Sequence, residues 1–128
     1  MHRAEFCCVS CISFISCKGD FFNLAFLSLI LDTDCADLLD IEFFTAGADL
    51  PKLVEQAHSA GVAVVCSSHD FTKTPPRAEL VSRMVQMQQA GADLPKLAVM
   101  PRCRTDVLEL LAATAEMADL HPETPVIT

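Results

Sequence analysis

The run Val62–Cys66, VAVVC, constrains the fold more than any other segment of this chain. An apolar, largely β-branched run of this length reads as a strand buried on both faces, as in parallel sheets covered by helices. Helical patterns flank it. Ahead of it, Leu53, Val54, Ala57 and Gly61 trace one helical face that ends on the glycine. Behind it, Thr74-Pro75-Pro76 opens a helix whose apolar residues are Leu80, Val81, Met84 and Val85, stopping near Ala90-Gly91. The alternation continues outward. Phe21–Leu31 predicts an apolar helix with Asp20 as N-cap, and Ala36–Phe44, ADLLDIEFF, predicts a strand. Leu97–Met100 predicts another buried strand. Thr105 is expected to cap a long helix through Val107, Leu108, Leu111, Ala115 and Met117, and Pro125–Thr128 begins a last strand. The order α-β-α-β-α-β-α-β implies a parallel sheet with right-handed crossovers. An open doubly wound sheet and a TIM barrel both satisfy it. With no GxGxxG and no GxxxxGK[ST], nucleotide binding has no support.

Strand parity separates the two architectures. Side chains alternate faces along a strand. Asp40 and Glu42 share one face of the first strand, with Leu39, Ile41 and Phe43 opposite. On the second strand Ala63, Val65, Ser67 and His69 oppose Val64, Cys66 and Ser68; on the third, Lys96, Ala98 and Met100 oppose Leu97 and Val99. One face is oily throughout, and the other collects Asp40, Glu42, Ser67, His69 and Lys96. Under the helices of an open sheet those groups would be buried charge. Facing the lumen of a closed barrel, they converge on one enclosed space. The pattern therefore favours a barrel with a site in it.

The residue types suggest a chemistry. A partly desolvated lysine that loses its proton attacks a carbonyl and forms a Schiff base, whose iminium acidifies the neighbouring carbon. A nearby histidine removes that proton and later protonates a leaving group. Asp40 and Glu42 either orient the imidazole or hold the lysine in its charged form; sequence leaves both open. The octapeptide AGADLPKL occurs twice, at Ala46–Leu53 and Ala90–Leu97, but the first copy enters a helix and the second a strand. It is not a structural repeat. Lys52 is expected in a solvated first helical turn and Lys96 on a strand.

Bulk properties narrow the remaining classes. The 128 residues allow one domain, and 52% hydrophobic residues exclude a disordered tail. A net charge of -8 disfavours nucleic acid and anionic membrane surfaces. The apolar stretch Phe6–Leu31 is broken by Lys18, Gly19 and Asp20 into halves too short for the ~20 residues of a membrane span. Seven cysteines, four of them at Cys7, Cys8, Cys11 and Cys17, indicate reduced thiols and a cytoplasmic setting rather than a disulfide framework. Their spacing matches paired CxxC zinc ligands poorly, so no metal is expected.

Two motifs at their observed spacing carry a resemblance. SSHDFTKTP, Ser67–Pro75, followed after a helix by LPKLAVMP, Leu94–Pro101, closely resembles type I 3-dehydroquinate dehydratase, and LLDIEFF, TDVLELLAAT and PVIT fit around them. The resemblance covers Asp20–Thr128 and leaves residues 1–19 as an unmatched Cys-rich leader. It implies a cofactor-free TIM barrel of the shikimate pathway that eliminates water from 3-dehydroquinate to give 3-dehydroshikimate. The family's Schiff-base lysine aligns with Lys96 and its acid/base histidine with His69, while Asp40 and Glu42 match acidic positions on its fourth strand. A full barrel needs about 250 residues. The chain is thus expected to hold strands four to seven of one. The family's Glu-x-Arg substrate motif, the carboxylate that assists its histidine, and its later arginine, serine and glutamine contacts have no counterpart here. A non-catalytic fragment or interaction module, and another Schiff-base barrel such as a class I aldolase, stand as alternatives. The expected partner is a small-molecule substrate, with a second copy of the chain covering an otherwise open barrel. His58 and His121 are read as surface residues, Met84, Met87 and Met100 as core filler, and Asp70 as either a loop cap or a substrate contact.

Overall fold

The computed structural model describes the backbone of Phe14–Cys17 and all of residues 36–128. The expected helix Phe21–Leu31 and the cysteines at 7, 8 and 11 lie outside the described residues. Four parallel strands stand in chain order: β1 (Phe14–Cys17), β2 (Leu38–Glu42), β3 (Ala63–Asp70) and β4 (Leu94–Val99). The β1 backbone, within the stretch read as a leader, pairs in parallel with β2. After β2 come a short turn of helix α1 (Phe43–Ala46), a 3-10 turn, and α2 (Leu50–Ser59). Helices α3 (Arg77–Gln89) and α4 (Arg104–Leu120) follow β3 and β4. Ile127 then pairs with the far edge of β4, its amide donating to Pro95 and its carbonyl accepting from Leu97. Of the last expected strand, Pro125–Thr128, only this isolated bridge at Ile127 is formed.

The two αβ connections are built alike because their sequences are alike. Gly61 and Gly91 end α2 and α3 with φ of 74° and 93°, a region that penalises any Cβ. In each, the glycine amide donates to the carbonyl three residues back (His58, Gln88). The next amide donates five back (Val62 to Ala57, Ala92 to Met87). This paired closure uses the carbonyls a helix end leaves orphaned. Val62 and Ala92 are buried as the following strands begin. Asp93 ties those strand starts together. Its carboxylate accepts from the Val64 amide and pairs with His58 Nε2 at 2.9 Å. His58 is thus at the surface, as expected, but engaged.

The core lies between the sheet and the helices. Leu39 and Ile41 of β2, Val64 and Cys66 of β3 and Leu97 of β4 face Leu53, Val54 and Ala57 of α2, Leu80, Met84 and Met87 of α3, and Ala113 and Met117 of α4. This is the parity that sequence alternation implied.

Four local expectations need correction. The first strand stops at Glu42, because Phe43 and Phe44 turn into α1, where their rings meet edge to face. The third begins at Leu94 rather than Leu97 and runs through Pro95, whose carbonyl accepts from the Ile127 amide. Thr105 does not cap α4. Cys103 is the N-cap, and Asp106, three residues on, reaches back to accept from the Arg102 amide at 2.7 Å. Met84 and Met87 fill the core, but Met100 is 46% exposed, one residue past the end of β4.

Helix α4 is apolar on two sides. Ala113 and Met117 are buried, whereas Val107, Leu108 and Leu111 face outward. Met84→Ala should lower the unfolding free energy by about 2–5 kcal/mol in urea titrations, while Leu108→Ala should change it by less than about 0.5 kcal/mol. Asp93 makes a pH prediction. Burial pushes its carboxyl up, but the Val64 amide and His58 outweigh that and hold it below its ordinary 3.8. A lowered carboxyl contributes stability that is present above pH 3.8 and lost as pH falls through its lowered value. The urea midpoint of the chain should therefore fall faster in that acid range than that of Asp93→Asn.

Candidate active site

The strand registers assemble the site. Glu42 pairs with Ser67, and Ser67 with Lys96, so these three stand in one row across β2, β3 and β4. Neighbouring strands are about 4.8 Å apart, which puts such side chains within reach of each other. Asp40 lies two residues before Glu42 on the same face, and His69 two residues after Ser67. All five polar residues singled out by parity are thereby brought together on the face turned away from the helices.

They stand in one run of close contacts, with Ser67 between the two carboxylates. Lys96 Nζ donates to Asp40 Oδ2 at 3.0 Å. The Ser67 hydroxyl donates to the other oxygen, Asp40 Oδ1, and lies 3.5 Å from Glu42 Oε2. Glu42 Oε2 meets His69 Nδ1 at 2.6 Å. The two carboxylates divide the work that sequence left open: Asp40 serves the lysine and Glu42 the histidine. Asp40 is 2% exposed, and such a carboxylate is tolerable only because both oxygens are engaged. Among the described residues no buried side-chain polar atom lacks a partner.

The arrangement has an evident chemical capacity. With Glu42 ionised, His69 Nδ1 carries the proton that the carboxylate accepts, leaving the Nε2 lone pair to take a proton. The Lys96 side chain is 25% exposed, so it is not sealed in the core. An amine able to attack a carbonyl and an imidazole able to move a proton are thus held on adjacent strands. Among the described residues no cluster of three or more His, Cys, Asp or Glu is arranged to hold a metal. No helix among them is long and apolar enough to cross a membrane.

Other candidates fall outside the site. Lys52 is exposed in the first turn of α2, as expected. Cys66 is buried on the helix-facing side of β3. Desolvation, with the charges of Asp40 and Asp93 behind it, pushes its thiol up to about 12. Asp70 caps the loop: its Oδ1 accepts from the Thr72 amide, the Thr72 hydroxyl and the Lys73 amide, which hold its carboxyl below the ordinary range.

Phe71 was missed. Its ring stacks on His69, with centroids 5.8 Å apart and planes 13° from parallel. The signal was present, since Phe71 continues the parity of Ser67 and His69. Site-resolved labelling with a maleimide should modify exposed Cys103 readily in the native chain. Cys66 should react only after denaturation; comparable native rates would contradict its placement.

Comparisons with known proteins agree with this architecture. A family model described as type I 3-dehydroquinase matches residues 17–128. The 3-dehydroquinate dehydratase of Clostridium kluyveri is 51% identical over 100 residues, covering 77% of this chain and 39% of that protein. The Salmonella paratyphi B protein of the same name is 46% identical over 98 residues, with the same coverage. Among solved structures, the type I enzyme from Clostridium difficile, with covalently modified comenic acid, superimposes with a TM-score of 0.78 at 45% identity. It covers 81% of this chain and 41% of its own. The Geobacillus kaustophilus enzyme gives 0.80 at 30% identity, covering 90% and 48%. The chain therefore spans about two-fifths of the curated relatives it matches, and its four strands are part of a (β/α)8 barrel.

Proposed function

Because the chain belongs to the type I 3-dehydroquinase family, we propose that it carries the covalent centre of a 3-dehydroquinate dehydratase, with Lys96 as nucleophile and His69 as acid and base. The observation that carries this is the unbroken run of contacts from Lys96 through Asp40, Ser67 and Glu42 to His69.

In this reaction the Lys96 amine adds to the substrate ketone and water leaves, giving an iminium. His69 Nε2 takes a proton from the adjacent carbon, and the electron pair of that C–H bond flows into the iminium to form an enamine. The enamine returns the pair and expels the β-hydroxyl, which leaves as water on receiving the proton from His69. Hydrolysis frees Lys96 and releases 3-dehydroshikimate. Asp40 positions the amine, and Glu42 keeps the imidazole in the tautomer with Nε2 unprotonated. No cofactor takes part. The protein works in the cytoplasm on a small-molecule substrate, away from nucleic acid and membranes. Two copies associate through the apolar residues that α4 leaves exposed.

Borohydride reduction in the presence of 3-dehydroquinate tests this. Peptide mapping should find the reduced adduct on Lys96 and none on Lys52, and Lys96→Ala should abolish it. His69→Ala should still form the adduct but slow its loss of water by about 100- to 10,000-fold. The trapped species then has the substrate's mass rather than the dehydrated one. Absence of an adduct, or one confined to Lys52, would overturn the assignment and favour a non-catalytic module. Trapping by dihydroxyacetone phosphate in place of dehydroquinate would favour an aldolase.

A further inference from the structure

His69 is held in two directions. Glu42 holds Nδ1 in the plane of the ring, and Phe71 lies against the ring face. Phe71 is 71% exposed, so burial does not hold it there. Both of its neighbours are fastened. On one side, Asp70 gathers the Thr72 amide, the Thr72 hydroxyl and the Lys73 amide around one carboxylate oxygen. On the other, the Thr72 carbonyl accepts from Arg102 Nε at 2.7 Å.

Arg102 belongs to the next βα loop, thirty residues on, and is itself anchored. Its amide donates to Asp106 in the first turn of α4. Two further bonds join the same loops: the Met100 amide donates to the Lys73 carbonyl at 3.3 Å and the Thr74 hydroxyl to the Met100 carbonyl at 3.2 Å. Of these links, only the Arg102 bond falls on a residue adjacent to Phe71. The guanidinium bonds a neutral main-chain carbonyl, so its role is geometric rather than charge pairing.

We propose that Arg102 is a positioning residue for His69, acting through Phe71: it pins the loop after β3 to the loop after β4 and so keeps the Phe71 ring stacked on the imidazole. The functional weight of this rests on His69 being the acid/base group. The contact itself does not.

The test is NMR of the full chain with labelled histidine, reading the His69 ring protons, which a stacked phenyl ring displaces upfield. Phe71→Leu defines the unstacked position. Arg102→Met, which keeps the stem and removes the donor, should move His69 most of the way to that position. It should move it no further when combined with Phe71→Leu. Arg102→Lys retains a donor that reaches the carbonyl and should leave His69 near its native position. His58, held by Asp93 at the opposite end of the sheet, should not move and serves as the folding control. If Arg102→Met fails that control, Asp70→Ala releases the turn on the other side of Phe71 and should give the same displacement. A His69 signal unmoved by either variant, or moved equally with and without Phe71, would overturn the proposal. The measurement needs no substrate, so loss of the ring contact and failure of adduct trapping are separate outcomes.

Discussion

The alternation of side chains along three parallel strands is the constraint on which the rest depends. Leu39 and Ile41, Val64 and Cys66, and Leu97 must lie under α2, α3 and α4, because no other elements among the described residues can cover them. Burying them leaves Asp40, Glu42, Ser67, His69 and Lys96 on the opposite face. A slip of one residue in any strand would exchange the faces, exposing aliphatic side chains and driving a carboxylate, an imidazole or an ammonium under helices. Core packing thus sets the register, and the register places the site. The row Glu42–Ser67–Lys96 inherits its geometry from hydrophobic contacts on the other side of the sheet.

Within that row, one buried hydroxyl does much of the organising. Asp40 and Glu42 are two carboxylates on one strand, two residues apart, facing the same way. Ser67 stands between them, donating its single proton to Asp40, which leaves Glu42 to His69. Lys96 and His69 therefore have separate carboxylates, with Ser67 between the two. Cys66, the adjacent residue on β3, points the other way and is chemically silent for the same parity reason.

Most of the site was legible in the sequence because period-two alternation is a strong signal in short buried strands. Lys96 was distinguished from Lys52, within an identical octapeptide, by the elements each copy leads into, and their strand and helix settings differ as that context implied. What could not be read were interactions formed across loops. No local pattern indicates that Arg102 reaches the Thr72 carbonyl, because the bond joins segments thirty residues apart and uses the main chain. Boundaries failed where local chemistry was ambiguous. Thr105 has the composition of a cap, but Asp106 was placed to reach back. Phe43 and Phe44 have strand-like side chains but follow the last residue that the sheet pairs. The sequence pattern ran through Val107, Leu108, Leu111, Ala115 and Met117 along α4, but did not show that only Met117 among them would be buried against α3 and the sheet.

The chain supplies part of a barrel, with Lys96 and His69 on adjacent strands and the carboxylates that meet them on a third. The proposed chemistry turns on Lys96 forming an imine with a ketone. The most direct measurement is exchange of the ketone oxygen of 3-dehydroquinate with 18O-labelled water, followed by mass spectrometry. Each cycle of imine formation and hydrolysis replaces that oxygen, whether or not dehydration follows. Exchange should run well above the uncatalysed rate with the chain and with Lys52→Met, and no faster than that rate with Lys96→Met. Exchange that survives Lys96→Met, or that is lost only with Lys52→Met, would contradict that chemistry.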